Sequence, residues 1–325
     1  MKRTTVSAVL IPAGLFFVAM WPNGAAAEAI AIGTNQQGSL NYAIGSGVAL
    51  AITKRSSLTV RPVGFGGSTV FMPRLNKGSI ELAVNNVIDL AYAYRGTGTH
   101  KGNPQPNIRL VAKLVPLYVG LLARVDSGIK SIEDFKGKPF PTDFSRQKIV
   151  KFSTEALLAT AGLGWGDIKP VPVATFGQSV EYLVTGKVVG ANGAPGASIV
   201  RRANARQRLK FISVQKTPQA QAVVEKILPG ASFVDLAPAR HMPTIHGKTT
   251  LLSFPYMLVT NSKTSDAVIY QAVKALHGAR KDLIASHGIY RSFRPKNMAS
   301  KVVELKYHPG AIKFYKEMGM WPPKD

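Results

Sequence analysis

The sequence predicts a two-lobed α/β protein, because short β-like runs alternate with helical runs and this alternation starts twice. The first series begins at residue 29 and the second near residue 119. In both series a strand leads through a turn into a helix, which is the order expected of a largely parallel sheet with crossover helices. With 325 residues, 46% of them hydrophobic and 18% charged, the chain is long enough for two cores of roughly 150 residues.

The first series is predicted from helical spacing and from the turns between its elements. Leu40, Ile44, Val48 and Ile52 recur every four residues, the spacing of a helix with one apolar face. A polar turn, Asn35-Gln36-Gln37-Gly38, precedes this helix. The predicted order is a strand at 29–34, a helix at 39–53, a strand at 58–63, a short helix that ends at Gly78, and a strand at 80–84 that runs into Asn85 and Asn86.

The second series starts again with a strand, and several of its helices end at a glycine. Ser131-Ile132-Glu133-Asp134 is similar to a capping box, which indicates the start of a short helix that Gly137 closes. The other predicted elements are strands at 119–124, 188–191 and 251–260, helices at 149–161 and 178–185 that end at Gly162 and Gly186, and helices at 266–277 and 311–318. We therefore expect two α/β units of similar size.

The first 27 residues have the pattern of a secretory signal. Lys2 and Arg3 precede an apolar run at 6–21, and Ala25-Ala26-Ala27 follows it. The alternative is a membrane anchor, but this run contains Pro12 and is shorter than the roughly 20 residues that span a bilayer. We expect cleavage after residue 27, so that residues 1–27 form a signal peptide and the rest of the chain is exported.

The chain is strongly basic, with 41 Lys and Arg against 17 Asp and Glu and a net charge of +24. Loss of Lys2 and Arg3 with the signal leaves 39 basic and 17 acidic residues, a net charge of +22. Nucleic-acid binding usually requires basic residues clustered beside aromatic ones, whereas here they are scattered, so we expect no nucleic-acid partner. An anionic ligand or membrane surface and an ordinary solvated surface both remain as explanations of the charge.

Enzyme motifs are missing from the sequence. It has no cysteine, and it lacks the nucleophile-elbow, zinc-protease, calcium-loop and dinucleotide patterns. His241 and His246 lie close in sequence, but a spacing of five does not share a helix face, which makes them a weak metal candidate. We therefore expect no cofactor, no metal and no catalytic site, with an exported enzyme as the less favoured alternative.

Five loops follow predicted strands and are placed to form a ligand site. Ligands of open α/β sheets bind beyond the carboxyl ends of the strands, and most of these loops offer neutral hydrogen-bonding groups. Loops that open helices add free N–H groups and a dipole that favour an anion. Each loop by itself is better explained as a turn, but together they predict one cleft. They are 34–39, 64–68, 85–86, 142–148 and 192–196.

The order and spacing of several motifs resemble the TAXI solute receptors of tripartite ATP-independent periplasmic (TRAP) transporters. The similar stretches are Ile32-Gly33-Thr34-x-x-x-Gly38-x-x-x-Tyr42, Gly66-Gly67-Ser68, Gly96-Thr97-Gly98 and His308-Pro309-Gly310-Ala311. Residues 126–138 are similar to the segment that starts the second lobe in many type II periplasmic binding proteins. The resemblance extends over essentially all of residues 28–325.

This resemblance implies a type II periplasmic binding protein fold, also called a Venus flytrap, with two hinge crossings near 116–118 and 253–256. Lobe 1 would be 28–116 plus 255–325, and lobe 2 would be 117–254. The implied function is to capture a small organic anion, typically a carboxylate, in the periplasm as a monomer and to deliver it to the permease subunits of a TRAP transporter. A binding protein that feeds a sensor kinase or chemoreceptor would share these features.

The candidate ligand-binding residues come from the strand-end loops and the positions that match the family. In lobe 1, hydrogen-bond donors at the first helix start and the turns of the next two strands are expected to meet the ligand. In lobe 2, the equivalent strand ends are expected to do so. The predicted site residues are Thr34, Asn35, Gln36, Ser39, Tyr42, Gly67, Ser68, Asn85, Asn86, Ser145, Arg146, Phe176 and Asn192. Tyr118 and Tyr256 are expected at the hinges.

The turn at 142–148 departs from the family, which usually has small residues there to hold a carboxylate on backbone amides. One hypothesis is that Arg146, alone or together with Lys148, replaces those amides with a charge-assisted hydrogen bond. A second is that Phe144 forms an apolar wall for a different ligand, and a third is that both cations face solvent. If Arg146 clamps the carboxylate, Arg146→Ala is expected to weaken binding by about 1.5–3 kcal/mol in calorimetry. An unchanged affinity would remove Arg146 from the site.

Overall fold

The structure is a computed structural model that describes Met1 and residues 29–301 and 305–323. Apart from Met1, the predicted signal peptide is therefore outside the described residues. The strands are β1 (Ala29–Asn35), β2 (Thr59–Phe65), β3 (Leu82–Asn86), β4 (Ile108–Arg124), β5 (Pro139–Asp143), β6 (Lys169–Val173), β7 (Gly190–Gly193), β8 (Leu209–Ile212), β9 (Ser232–Leu236) and β10 (Thr249–Asn261). The α-helices are α1 (Leu40–Arg55), α2 (Ser68–Lys77), α3 (Val87–Arg95), α4 (Lys148–Ala159), α5 (Phe176–Val184), α6 (Ser198–Arg206), α7 (Pro218–Ile227), α8 (Asp266–Gly278), α9 (Arg280–Ser286) and α10 (Pro309–Glu317). Within the described ranges, every helix is too short or too polar to cross a membrane.

The first series of predicted elements is confirmed. Strand β1 pairs in parallel with β2 on one side and with β3 on the other, so the three strands end at the same edge of the sheet. Helix α1 begins where predicted, because the Ser39 hydroxyl accepts the N–H of Tyr42 at 3.0 Å and caps its first turn. The four apolar residues spaced by four in this helix are all buried against the sheet.

Two long strands cross the molecule, and their length was not predicted. The predicted strand at 119–124 is only the end of β4, which has 17 residues and begins at Ile108. Strand β10 pairs with β4 over most of its length and runs antiparallel both to β4 and to β3. The expected parallel order therefore holds for β1 to β3 but not for this central pair.

Two prolines face each other in the central pair. Pro116 of β4 is paired with Pro255 of β10, and the register of the ladder shifts between Pro255 and Met257. Since proline has no backbone N–H, neither residue can donate a ladder hydrogen bond at this point. The ladder between β4 and β10 therefore lacks two hydrogen-bond donors at this point.

The second half of the molecule is built on the far ends of the same two strands. The end of β4 pairs with β7 and β8, and the start of β10 pairs with β9. Strands β5 and β6 form a separate parallel pair, which is tied to the region before β7 by a hydrogen bond from Val189 N–H to the Pro139 carbonyl at 3.0 Å. The capping-box-like start expected at 131–134 is present, because the Asp134 carboxylate accepts the N–H groups of Lys130 and Ser131, and the short helix that follows is a single 3₁₀ turn.

Candidate ligand-binding site

A small cavity lies between the strand ends of the two halves. The centre of a water molecule can occupy about 80 Å³ of it. Four of the five loops expected to converge contribute to its wall, and the remaining wall comes from the crossing strands. The lining residues are Asn35, Ser39, Leu40, Asn41, Asn86, Leu117, Val119, Gln147, Ile149, Val150, Ser153, Phe176, Asn192, Gly193, Ala194, Phe254 and Tyr256.

The structure brings part of the predicted site together in this cavity. The predicted residues in its lining are Asn35, Ser39, Asn86, Phe176 and Asn192. The predicted residues that lie outside its lining are Thr34, Gln36, Tyr42, Gly67, Ser68, Asn85, Ser145 and Arg146. Thr34 is outside the lining but supports Asn35, because its buried hydroxyl donates to the Asn35 carbonyl at 3.1 Å. Whether either group binds a ligand stays a prediction.

Asn35 and Asn41 form a polar corner at the end of β1 and the start of α1. The Asn35 N–H donates to Asn41 Oδ1 at 2.7 Å, and Asn41 Nδ2 donates to the Val84 carbonyl at 2.7 Å. These bonds hold the Asn41 side chain in one orientation. Asn35 Oδ1 is shielded from solvent and has no hydrogen-bond partner among the described residues, which is costly unless a ligand or water satisfies it.

Gln147 connects the two helices that open onto the cavity from the second half of the molecule. Its side chain is 4% exposed, and its Oε1 accepts the Phe176 N–H at the start of α5 at 2.7 Å. Gln147 is also the residue that precedes α4, where its side chain does not cap its own helix. With Oε1 used in this way, Nε2 is left as a donor on the cavity wall. Sequence reasoning missed this residue, although it lies in the loop at 142–148.

Tyr256 contributes a phenol to the cavity from β10. Burial raises the pKa of Tyr256 far above its ordinary value of 10.0, the nearby Asp89 charge raises it further, and a hydrogen bond with Asn41 acts in the opposite direction. The phenol therefore stays protonated throughout the physiological range and keeps a proton to donate. Its expected place near the hinge is consistent with its position one residue after Pro255.

A buried carboxylate behind the cavity orients Asn85, which in turn accepts the Asn86 N–H. Asp89 is fully buried in the first turn of α3, where it accepts from Asn85 Nδ2 at 2.9 Å. Burial opposes its ionisation, but the His100 imidazole and the hydroxyls of Ser68 and Thr99 outweigh burial and hold the pKa of Asp89 below its ordinary value. Because Asn85 Nδ2 is committed to this carboxylate, its Oδ1 faces the Asn86 N–H at 2.9 Å.

No charged side chain belongs to the lining of the cavity, as far as the described ranges 29–301 and 305–323 show. Arg146 and Lys148 are exposed, and Arg146 lies against the turn at Gly66 and Gly67. The direct contact of Arg146 with a carboxylate stays a prediction, which Arg146→Ala tests. Phe144 is fully buried and is outside the lining.

The turn that carries Arg146 has an unusual backbone. Asp143 and Phe144 have φ angles of 68° and 46°, in the left-handed region that residues with a side chain seldom occupy. Such conformations persist only where the surrounding structure holds them, and they cluster at functional sites. Here they end β5 and lead the chain into the 145–147 segment, which contacts both the other half of the molecule and the start of α5.

Comparison with known proteins identifies the family. Residues 32–319 match the NMT1-like family. The chain belongs to the NMT1-like family. Its fold is the two-domain α/β fold of periplasmic binding proteins, as expected from the sequence.

Three solved structures share the fold of this NMT1-like protein at low sequence identity. MatC from Rhodopseudomonas palustris, solved with bound malate, is 14% identical, with 81% of this chain and 88% of that chain covered and a TM-score of 0.56. A periplasmic transporter protein is 15% identical, with 90% and 92% covered and a TM-score of 0.57. The periplasmic binding protein BugD is 9% identical, with 90% and 95% covered and a TM-score of 0.57.

Several direct contacts hold the two halves of the NMT1-like protein together over the cavity. The Gly38 carbonyl accepts the N–H of Ile199 at 3.1 Å, next to the start of α6. The Tyr92 hydroxyl donates to the Ile227 carbonyl at 2.8 Å. Gly67 is so close to the Arg146 carbonyl that a Cβ at position 67 would lie 1.9 Å from that oxygen. The two halves are therefore in direct contact, while the cavity between them stays partly open to solvent.

A further contact between the two halves involves His287, Gly196 and Arg201. His287 Nδ1 accepts the N–H of Ile289 at 3.2 Å, so the neutral ring carries its proton on Nε2, which lies 3.2 Å from the Gly196 carbonyl. The Arg201 guanidinium also reaches that carbonyl and lies 3.4 Å from Nε2. Burial lowers the pKa of His287 below its ordinary 6.5, and Arg201 and His241 lower it further, whereas the Gly196 hydrogen bond raises it.

We expect ligand affinity to fall as the pH drops below about 6.5. A proton binds more tightly to His287 when its contacts are open than when they are closed, so acid favours the open form. The charged His287 ring would be repelled by the groups that face it, Arg201 and His241. Arg291 lies beside His241 and adds to this repulsion. Titration calorimetry between pH 8 and pH 5 measures the effect. His287→Gln should flatten the profile, and an unchanged slope in that variant would contradict the assignment.

Proposed function

We propose that this NMT1-like protein is a periplasmic receptor that binds a small carboxylate between its two lobes and delivers it to a membrane permease. The observation that carries the proposal is a cavity between the two halves that is lined by buried polar groups, several of which can still donate a hydrogen bond. A receptor has to enclose its solute completely, and a cavity walled by both halves does this only when they close. The bound ligand then stabilises the closed form.

The donors that support an anionic ligand come from three elements. The Ser39 oxygen accepts a hydrogen bond from Tyr42, which leaves its hydroxyl proton to donate. Gln147 Nε2 and the Tyr256 hydroxyl add two more donors on the same cavity. Helices α1, α4 and α5 begin at its wall, and the N–H groups in a first turn have no partner within their own helix. Together with the helix dipoles, these groups favour negative charge.

The pairing of the two crossing strands supports a set of lobe boundaries. We propose that lobe 1 is 28–116 plus 255–325 and that lobe 2 is 117–254. The pairing of Pro116 with Pro255 supports these bounds, because the ladder between β4 and β10 lacks two donors there. Rotation about this point would open the cavity without breaking the sheet of either lobe.

The proposed partner is the permease of a TRAP transporter, and the proposed subfamily is TAXI. The motifs at 32–42, 66–68 and 308–311, with their order along the chain, support this assignment. The signal pattern at 1–27 supports export to the periplasm, where the receptor would act as a monomer. Co-purification of the tagged protein with a membrane partner tests the assignment, since a sensor kinase in place of a permease would overturn it.

A thermal-shift screen of ligand-free mature protein, residues 28–325, tests solute binding. The panel should contain amino acids, monocarboxylates, dicarboxylates, keto acids and aromatic acids. A ligand at about a thousand times its dissociation constant adds about 4 kcal/mol to the free energy of unfolding, which should raise the Tm by on the order of 10 °C. A large shift with one class of acid supports the proposal. A flat response to all of them would contradict carboxylate capture.

A further inference from the structure

We infer that the ligand is a short monocarboxylate whose other end is uncharged. This inference rests on the proposed function and narrows it, since it names which carboxylates the cavity accepts. We expect dicarboxylates and amino acids to bind more weakly, because the lining offers no charged partner to a second ionised group.

The cavity can stabilise one anionic group but not two. Its donors are uncharged: a serine hydroxyl, a glutamine amide, a phenol and the N–H groups of helix starts. Neutral donors and helix dipoles hold one buried carboxylate well. A second carboxylate would be buried without a cation, and an unpaired buried charge carries a large desolvation cost. Arg146 and Lys148, the cations next to Gln147, are exposed and outside the lining.

An ammonium group finds no charged partner either among the described residues that line this cavity. The carboxylate of Asp89 is outside the lining and is already bonded to Asn85 and Thr99. His100 lies 3.7 Å from the same carboxylate. The acceptors that the lining side chains supply are neutral amide and hydroxyl oxygens.

The rest of the wall is apolar and suits a short hydrocarbon chain. Leu117 and Val119 of β4 and Phe254 of β10 line the cavity beside the hinge, and Ile149 and Val150 line it from α4. Apolar contact of this kind favours CH₂ groups over polar ones. The space of about 80 Å³ is well below the roughly 300–1,000 Å³ of pockets that hold drug-sized ligands.

Three four-carbon acids test the inference, because they differ only at the second end. Butanoate is neutral there, butanedioate carries a second carboxylate, and 4-aminobutanoate carries an ammonium. Calorimetry should use full mature protein that has been unfolded and refolded to remove bound solute. We expect butanoate to bind at least about 100-fold more tightly than the other two. This ratio corresponds to a difference in binding free energy of about 2.8 kcal/mol.

The outcomes separate the inference from the function on which it rests. Butanedioate or 4-aminobutanoate binding as tightly as butanoate would overturn the inference and leave the receptor proposal intact. Failure of all three to bind would also overturn it. Only a flat response to the whole acid panel in the thermal-shift screen would remove the receptor function itself.

A lysine placed in the cavity wall tests whether the lack of a cation there disfavours a second carboxylate. Val150 is half-buried on the cavity, so Val150→Lys would supply the missing cation, and Val150→Met is a neutral control of similar length. We expect Val150→Lys to shift the preference toward butanedioate at least tenfold relative to butanoate, and Val150→Met to leave the ratio unchanged. An unchanged ratio in Val150→Lys would contradict charge exclusion.

Discussion

Gly67→Ala is expected to weaken ligand binding at least about 100-fold while leaving the Tm of the ligand-free protein nearly unchanged. The backbone of Gly67 is extended, with φ 172°, so alanine fits the conformation. In the closed structure, however, its Cβ would lie 1.9 Å from the main-chain oxygen of Arg146. Since a main-chain atom cannot swing aside, the lobes would have to stay apart. If the substitution lowers the population of the closed form, the apparent ligand affinity falls by the same factor.

A neighbouring glycine provides the matched control. A Cβ at Gly66 would meet only the Arg146 side chain, at 3.6 Å and 3.9 Å, which is ordinary contact. Gly66→Ala should therefore bind nearly as the parent protein does. Arg146→Ala combined with Gly67→Ala should not restore binding, because the clash is with the carbonyl. Calorimetry measures the affinity and small-angle scattering the closure; compaction of the Gly67→Ala variant on ligand addition would contradict the prediction.

Gln147→Glu is expected to reduce carboxylate affinity at least about 100-fold without unfolding the protein. The two side chains have the same shape, so a glutamate oxygen can still accept the Phe176 N–H that Gln147 Oε1 accepts at 2.7 Å. The nearby starts of α4 and α5 favour a negative side chain there. The substitution removes the Nε2 donor and places a charge where the anion would bind, and like charges at short range repel strongly in a buried site.

Gln147→Ala separates binding from folding. It leaves the buried Phe176 N–H without a partner, at a cost of about 1–3 kcal/mol, so it should lower the Tm more than Gln147→Glu does. Calorimetry and thermal unfolding of both variants measure the two effects. A Gln147→Glu protein that binds the same acid as tightly as the parent would show that this residue does not face the anion.

The sequence alone determined the local elements and part of the site. Helix α1 was predictable because its apolar spacing and its Ser39 cap are both local signals. Ligands of open α/β sheets bind beyond the carboxyl ends of the strands. This rule selected Asn35, Ser39, Asn86 and Asn192, which the structure brings to one cavity. The strands β5, β6, β8 and β9 were missed; β5 and β6 each contain two prolines, which argue against a strand in a local reading.

Only the tertiary structure decided which side chains face the cavity and how the lobes connect. Pro116 by itself predicts a strand break, but β4 continues through it because the pairs on both sides, Leu117 with Phe254 and Lys113 with Met257, hold it against β10. Gln147 reaches the cavity because its partner is Phe176, 29 residues away, whereas Arg146, one residue earlier, points to the Gly66 turn. Local spacing specifies which face of an element is apolar. Contacts between residues far apart in the chain set the direction of a loop side chain. That direction explains why Gln147 lines the cavity while the neighbouring cation Arg146 is exposed outside it.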